Sequence, residues 1–319
     1  MKTLHNKRTL LHNPRSQKEG PYRLQGFPET VSDAKLNRRL ASAERSIRLL
    51  HHPEHVLKIV RACESNSKLA ESRLSPSSYE AAVASCALAL MAAEEHAFAV
   101  TRPPGHHATQ RKSGGYCLFN NVALAVAHLL REQKRVCIID FDGHHGNGTQ
   151  SFFRDENRVM FASIHQDKTY PHSGAASNIG KGPSLKKAIN IPLPEGSGDD
   201  VFLTALTFVA KRFKAFKPDF VAVSAGFDGY HGDRLLKLQY SKQGYYEAGK
   251  VLASIGKPVF GVLEGGYHTE IKGCVDAFVA GVGHKKKYRS GEKLSVSNRA
   301  CREKSDETLR KIGRLIDIR

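Results

Sequence analysis

No run of 18 apolar residues occurs in the 319-residue chain, which excludes a membrane-spanning helix. The first twenty residues, MKTLHNKRTLLHNPRSQKEG, lack the apolar segment of about 7–15 residues that a secretory signal requires. They also lack any acid before Glu19, the one trait shared with an organelle-targeting leader. The six cysteines (Cys63, Cys86, Cys117, Cys137, Cys274, Cys301) form neither a CxxC pair nor a dense framework, so a disulfide scaffold is excluded and a reducing compartment is indicated. Cys137, inside an apolar run, reads as a small buried hydrophobe. The expected location is cytoplasmic, or nuclear or organellar in a nucleated cell. With no internal repeat and no low-complexity linker, and with 40% apolar residues, the length fits one large domain.

Acids are also scarce: 31 Asp and Glu face 49 Lys and Arg, for a net charge of +18. The imbalance sits at the ends, with 15 bases against 7 acids in residues 1–75, 12 against 5 in residues 284–319, and only 22 against 19 in residues 76–283. Such ends attract an acidic surface or nucleic acid and gain nothing from a basic partner. Solvated lysines that keep the chain soluble are the plainer reading.

What is present is an alternation. Strand-like runs at 97–100, 135–141, 158–164, 219–225 and 258–264 are separated by helical patterns at 77–95, 120–133, 199–213, 241–255 and 269–282. Near-continuous apolar strands interleaved with helices imply an α/β fold, a single domain whose mostly parallel central sheet carries helices on both faces. Ser77 or Ser78 is placed to cap one helix, and Ser197 with two acids to open another. A catalytic domain is expected over residues 1–283, with the first 70 residues near a substrate rim. The basic segment 284–319 ends in a short helix with Leu309, Ile312, Leu315 and Ile316 on one face, and its first half carries no ordering pattern.

In parallel sheets ligands bind beyond the carboxyl ends of the strands. Those ends read TRPPGHHA, DFDGHHGNG, HQDKTYPHSG, GFDGYHGD and EGGYH, each with glycine beside His, Asp or Tyr. Asp140, Asp142 and His144 share one side of an extended chain. Two converging acids repel unless a cation sits among them, so Asp142 and His144 suit either a metal pair or a buried polar network. Recurrence at five strand ends favours a divalent metal, with Asp228 as third ligand and room left for water and substrate, as in a catalytic site. His106 and His107 follow a Pro-Pro-Gly turn. One can take a proton from the attacking water while the other orients or protonates the leaving group, with Asp140 as partner for His106 and Asn147 for His107. Tyr267, behind two glycines, can donate to an oxyanion.

RPPGHHA, CLFNNVALA, IDFDGHHGNGTQ, SAGFDGYHGD and LEGGY, over roughly residues 70–283, resemble the zinc-dependent histone deacetylases and their bacterial deacetylase and acetylpolyamine amidohydrolase relatives. The resemblance implies the arginase/deacetylase fold, one Zn(II) per chain held by Asp142, His144 and Asp228, and hydrolysis of an N-acyl amine. It assigns His106, His107, Asp140 and Tyr267 to catalysis, Gly115 and Tyr116 to the tunnel wall and Tyr170 opposite them, and places His145 beside the ligands without being one. It also implies potassium near the strand carrying Asp140, held largely by backbone carbonyls.

Asn147 stands where many nuclear members carry aspartate, which leaves His107 a neutral partner and a lower pKa. Tyr116 replaces the usual phenylalanine. Leu235 offers no counter-charge to a polyamine, which tilts the expected substrate toward acyl-lysine in proteins or peptides rather than small acetylated amines. An arginase-like dimanganese site would need further carboxylates where this chain has glycine. A basic nucleic-acid-binding module with a vestigial site is the reading of a different class.

Overall fold

Val136 and Ile138 are buried on one side of a strand and Cys137 and Ile139 on the other, so that strand has to be covered on both faces. The computed structural model describes residues 1–14, 18–284 and 288–317; Lys285, Lys286 and Lys287 of the basic tail and Arg15 of the N-terminal stretch lie outside them. In chain order the elements are β1 (Thr3–Leu4), α1 (Asp33–Leu50), α2 (Pro53–Glu64), the hairpin β2 (Lys68–Leu69) and β3 (Ser72–Arg73), α3 (Ser78–Glu95), β4 (Phe98–Ala99), α4 (Asn121–Arg131), β5 (Val136–Asp140), α5 (Asn147–Phe152), β6 (Val159–Gln166), β7 (Ala188–Leu193), α6 (Asp199–Phe216), β8 (Phe220–Ala225), α7 (Lys242–Ala253), β9 (Val259–Leu263), α8 (Ile271–Val282) and α9 (Arg299–Asp317).

Seven strands pair in the order β1-β4-β9-β8-β5-β6-β7, every pair parallel. The α/β architecture with helices on both faces is therefore as the sequence implies. Helices α6 to α9 pack on one face with Cys137, Ile139 and Val223, and α1 to α4 on the other with Val136, Ile138 and Ala222. From β5 the chain runs outward through β6 and β7, then returns to place β8 on the other side of β5. Such a reversal opens a crevice at the carboxyl ends of the two neighbours, β5 and β8, in register at Asp140 and Ser224.

Several elements lie outside the sequence expectations. Strand β7 is an edge strand whose pattern is broken by the buried Asn190 and by Pro192, a residue that an edge tolerates. Helices α1 and α2 occupy the stretch before residue 70. They carry Leu36, Ala43, Ile47, Val56 and Ile59 into the core against α3, so this region builds a layer of the domain.

The caps differ too. Ser77 makes no cap bond and its hydroxyl donates to Leu11 O at 2.9 Å, while Ser197 Oγ donates to Pro194 O at 2.7 Å. The N-terminus of α6 is closed from the tail instead: Gly198 N donates to Ser297 Oγ (2.7 Å) and Asp199 N to Ser295 Oγ (2.8 Å). In return Asp199 accepts from Ser295 N and Asp200 from Ser297 N. No local rule sees a cap supplied from nearly a hundred residues away.

The described first half of the tail is thus ordered by α6, contrary to the absence of pattern in its sequence. It leads into a 19-residue α9, longer than expected, that buries Leu309 and Ile312 and half-buries Leu315 and Ile316. None of the described helices is long and apolar enough to cross a membrane.

Because Ile312 is fully enclosed in the core shared with α6, Ile312→Ala should lower unfolding stability by about 2–5 kcal/mol in urea titrations. Unchanged stability would show that α9 does not pack as described.

Candidate functional site

Strand β5 ends at Asp140, and the chain then turns so that Asp142 and His144 meet Asp228 from the loop after β8. One donor atom from each of these three residues lies within 4.8 Å of the others. His144 Nδ1 sits 2.7 Å from Asp228 Oδ2 and 3.2 Å from Asp142 Oδ1. Backbone donors orient the carboxylates: Gly143 N donates to Asp228 Oδ1 (2.7 Å), Gly265 N to Asp142 Oδ2 (2.8 Å) and His144 N to Asp142 Oδ1 (2.9 Å). A Cβ at Gly265 would come within 2.5 Å of Asp142 Oδ2, so only glycine allows this approach.

The electrostatics ask for a cation. Burial and the neighbouring Asp142 push Asp228 up to about 6. Burial resists protonation of His144, but the Asp228 and Asp142 carboxylates outweigh it and raise the imidazole to about 10. A positive charge at Nδ1 is what two buried carboxylates require, and a divalent ion there meets the same demand. The set therefore fits a metal.

A second group, His106, Cys117 and Glu264, is equally compact but does not fit one. Glu264 is committed to Gly105 N, His106 N and Ser224 Oγ, and burial raises the Cys117 thiol so that it keeps its proton.

The two histidine rings lie tilted against each other, 4.0 Å between centroids, and differ in partner. His106 Nδ1 lies 3.0 Å from Asp140 Oδ2, and His107 Nδ1 lies 2.7 Å from Asn147 Oδ1. Burial disfavours charge on His106, but Asp142 and Asp140 overcome it and lift the imidazole well above its ordinary value. Burial, then His106 and His144, hold His107 well below. His145 stands beside this group, saturated by Ser173 Oγ and Gln150 Oε1, both at 2.7 Å.

A cavity of about 190 Å³ opens over the cluster, with His107, His144 and Tyr267 toward its floor and Gly115, Tyr116, Tyr170 and Leu235 along its walls. Gly115 has φ +52°, and a Cβ there would run into the His107 ring. The Tyr170 ring meets His107 edge-on at 4.9 Å, and Tyr116 packs on Tyr267 at 5.6 Å. Seven of the twelve residues singled out from the sequence for the site line this cavity, and the other five, His106, Asp140, Asp142, Asn147 and Asp228, adjoin them through the contacts given above.

Residues 17–282 match the family model of the histone deacetylase domain. The chain belongs to the histone deacetylase family. A histone deacetylase of Arabidopsis thaliana, number 14 and chloroplastic, is 44% identical over 54% of this chain and 43% of its own length. An acetylpolyamine amidohydrolase of Mycoplana ramosa is 39% identical over 62% and 61%. The chain thus spans less than two thirds of those relatives. A probable deacetylase of Methanothermobacter thermautotrophicus is 33% identical over 88% of this chain and 90% of that protein. Among solved structures, the HDA15 HD domain superposes with a TM-score of 0.82 at 26% identity, covering 98% of this chain and 94% of that one. An acetylpolyamine aminohydrolase from Burkholderia pseudomallei superposes at 0.74, also at 26% identity, over 89% and 98%.

Around the deacetylase-family pocket stand residues that the sequence did not disclose. Glu71, at the exposed tip of the β2–β3 hairpin, lines the mouth and accepts from Gly115 N at 2.7 Å. Behind Tyr267 lies a buried ion cluster, in which Arg23 reaches Gly266 O and Glu264 O, both at 2.5 Å, and pairs with Glu19 at 3.0 Å, while Arg102 pairs with Glu19 at 2.9 Å. Burial opposes ionisation of Glu19, but Arg102, then His12 and Arg23, hold the carboxyl far below its usual range.

His51, at the α1–α2 junction, donates from Nδ1 to Thr109 O (3.0 Å) and accepts Asn120 N at Nε2 (3.1 Å). It clamps both ends of the loop that carries Gly115 and Tyr116. An imidazole far from any motif gave no local signal. Two basic stems and an acid among loop residues gave none either.

Burial, then the neighbouring His55, push His51 down to about 3, so it is neutral in the folded protein and protonates on unfolding. A depressed folded-state value contributes stability that is fully present above the ordinary histidine value of about 6.5 and is lost as pH falls toward about 3. His51→Phe should cost about 2–4 kcal/mol at pH 8 by orphaning the buried Asn120 N and the half-buried Thr109 O, and the gap to the unsubstituted protein should shrink at pH 5 in urea titrations. A gap independent of pH would contradict the neutral clamp.

Proposed function

We propose that the protein is a zinc-dependent deacylase, with one zinc per chain, that hydrolyses N-acetyl amides of lysine side chains in proteins or peptides to a carboxylate and a free amine. The observation that carries this reading is the meeting of Asp142, His144 and Asp228 with a neutral imidazole, a charged imidazole and a phenol around one cavity. One nitrogen and two oxygen donors leave coordination positions open, the pattern of catalytic rather than structural zinc. When bound, zinc supplies a Lewis acid for the acyl carbonyl and makes water more acidic.

The chain's own groups divide the remaining work. His107 donates from Nδ1 to Asn147 Oδ1, which leaves Nε2 as the acceptor for the proton of the attacking water. Its neutral partner and depressed pKa keep it unprotonated at neutral pH. His106, anchored by Asp140, retains its proton and faces the departing amine as the acid. Burial, offset in part by Arg23, raises the Tyr267 phenol, so it stays protonated and can donate to the developing oxyanion. Asp233 accepts from Tyr267 N (2.7 Å) and Leu235 N (2.8 Å), which ties the phenol's turn to the pocket wall.

The tunnel walls suit a neutral alkyl chain: the rings of Tyr116 and Tyr170 and the apolar Leu235 enclose it. One observation favours a second substrate class. Glu71 places a carboxylate at the mouth, where a cationic amine of a small acetylated polyamine would be stabilised as well as a peptide N–H. Two of the relatives named above are polyamine hydrolases.

Turnover of an acetyl-lysine peptide and of an acetylated polyamine should be compared on the metal-loaded protein. Tyr267→Phe and His107→Ala should each reduce kcat/KM by about 100-fold or more on either substrate, the scale of losing an oxyanion donor or a general base. Near-normal turnover in either variant would remove the role assigned to it. Glu71→Gln should weaken polyamine turnover more than peptide turnover if the second class is the physiological one, and both alike if the first is.

A further inference from the structure

A second cavity lies one hydrogen bond away from the catalytic pocket. Asn147 lines it, and the same Asn147 is hydrogen-bonded at 2.7 Å to His107, which lines the first. The second cavity holds about 310 Å³, the larger of the two, and falls within the size range of small-molecule sites. Its buried surface is made by the apolar Phe153, Val159, Phe161 and Ala188 together with His145 and Ser184, both already hydrogen-bonded within the chain. Its exposed edge carries Arg154 and Lys181, with the half-buried Lys187 beside them.

Charge in this cavity is one-sided. No acidic side chain lines it. The nearby Glu156 is held by Arg158 at 2.6 and 2.9 Å, and among the described residues neither Arg154 nor Lys181 has a carboxylate partner. Lys187 spends one donor on Pro183 O at 2.9 Å and keeps two. Burial and the Arg135 guanidinium lower its ammonium, and the Arg158-bound Glu156 offsets this only in part. At the inner wall Asn147 is neutral, so nothing there repels an anion as a carboxylate would, and its amide NH2 makes no hydrogen bond among the described residues. Cations around an apolar floor are complementary to a molecule with an anionic head and a short hydrocarbon tail.

We propose that this cavity is a binding site for a short-chain organic carboxylate, its head among Arg154, Lys181 and Lys187 and its tail on Phe153, Val159 and Phe161, and that occupancy is transmitted to His107 through Asn147. The transmission rests on the reading of His107 as the catalytic base; the binding does not. A carboxylate is also the class of product that a deacylase releases, so the site gives the enzyme a way to sense acyl products at a distance from the reacting atoms. No covalent step is involved.

The test is calorimetric titration of the metal-loaded full chain with hexanoate, with hexanamide as the uncharged counterpart and with inorganic phosphate as charge without a tail. Hexanoate should bind at least tenfold more tightly than either. Arg154→Gln/Lys181→Gln, at two exposed positions outside the catalytic pocket, should weaken hexanoate at least tenfold while leaving basal acetyl-lysine turnover unchanged. In the unsubstituted protein hexanoate should shift kcat or KM, and in the double variant it should not. Equal hexanoate binding by both proteins would place the ligand elsewhere, the metal included, and overturn the proposal. Equal binding of hexanamide or phosphate would overturn the ligand class. Charge-dependent hexanoate binding in a protein without turnover would support the site and count against the deacylase reading.

Discussion

Two carboxylates, Asp142 and Asp228, are buried beside each other where β5 and β8 end, and neither can stay ionised there without positive charge between them. That demand organises the surroundings. The reversal of strand order between β5 and β8 brings the two acids together, and His144 bridges them. Glycines at 143 and 265 let backbone N–H groups approach the carboxylate oxygens, so both oxygens of Asp142 and one of Asp228 are fixed by the main chain while Asp228 Oδ2 is left to the imidazole. Hydrophobic residues could fill this space at lower cost, and so much buried, perturbed polarity in one cleft marks a candidate site for a cation with reactive groups beside it.

The second tier of charge follows from the first. Burial disfavours charge on both histidines, but Asp142 and Asp140 outweigh it at His106, whereas at His107 the neighbouring His106 and His144 add to it and asparagine supplies no opposing charge. A protonated and an unprotonated imidazole 4.0 Å apart thus differ through their partners alone. Behind them Glu19 pairs with both Arg23 and Arg102 in a buried cluster. It connects the N-terminal segment to the carbonyls of Glu264 and Gly266, and so to the turn that carries Tyr267.

Much of this was legible in the sequence, and the reason is local. Loops that follow parallel strands converge by topology, so DFDGHHGNG, GFDGYHGD and EGGYH could be read together without knowing any distance. Helices with clear apolar faces, such as α4 and α6, were equally open. What escaped depends on partners distant in the chain. Strand β7 lies at an edge and tolerates Pro192 and Asn190. The cap of α6 comes from Ser295 and Ser297, and the clamp on the tunnel loop from His51. Glu71 reaches the pocket only because a two-residue turn with positive φ at Ala70 and Glu71 aims it there. Spacing rules carry no information about any of these.

The central claim is a single zinc at Asp142, His144 and Asp228. X-ray absorption at the zinc edge, combined with elemental analysis of the purified chain, tests it most directly. The account predicts one zinc per chain with only nitrogen and oxygen neighbours at roughly 2.0–2.2 Å. A protein that deacylates while free of metal, or a zinc with a sulfur neighbour near 2.3 Å, would contradict it, the latter by moving the ion to Cys117 and the site beside it.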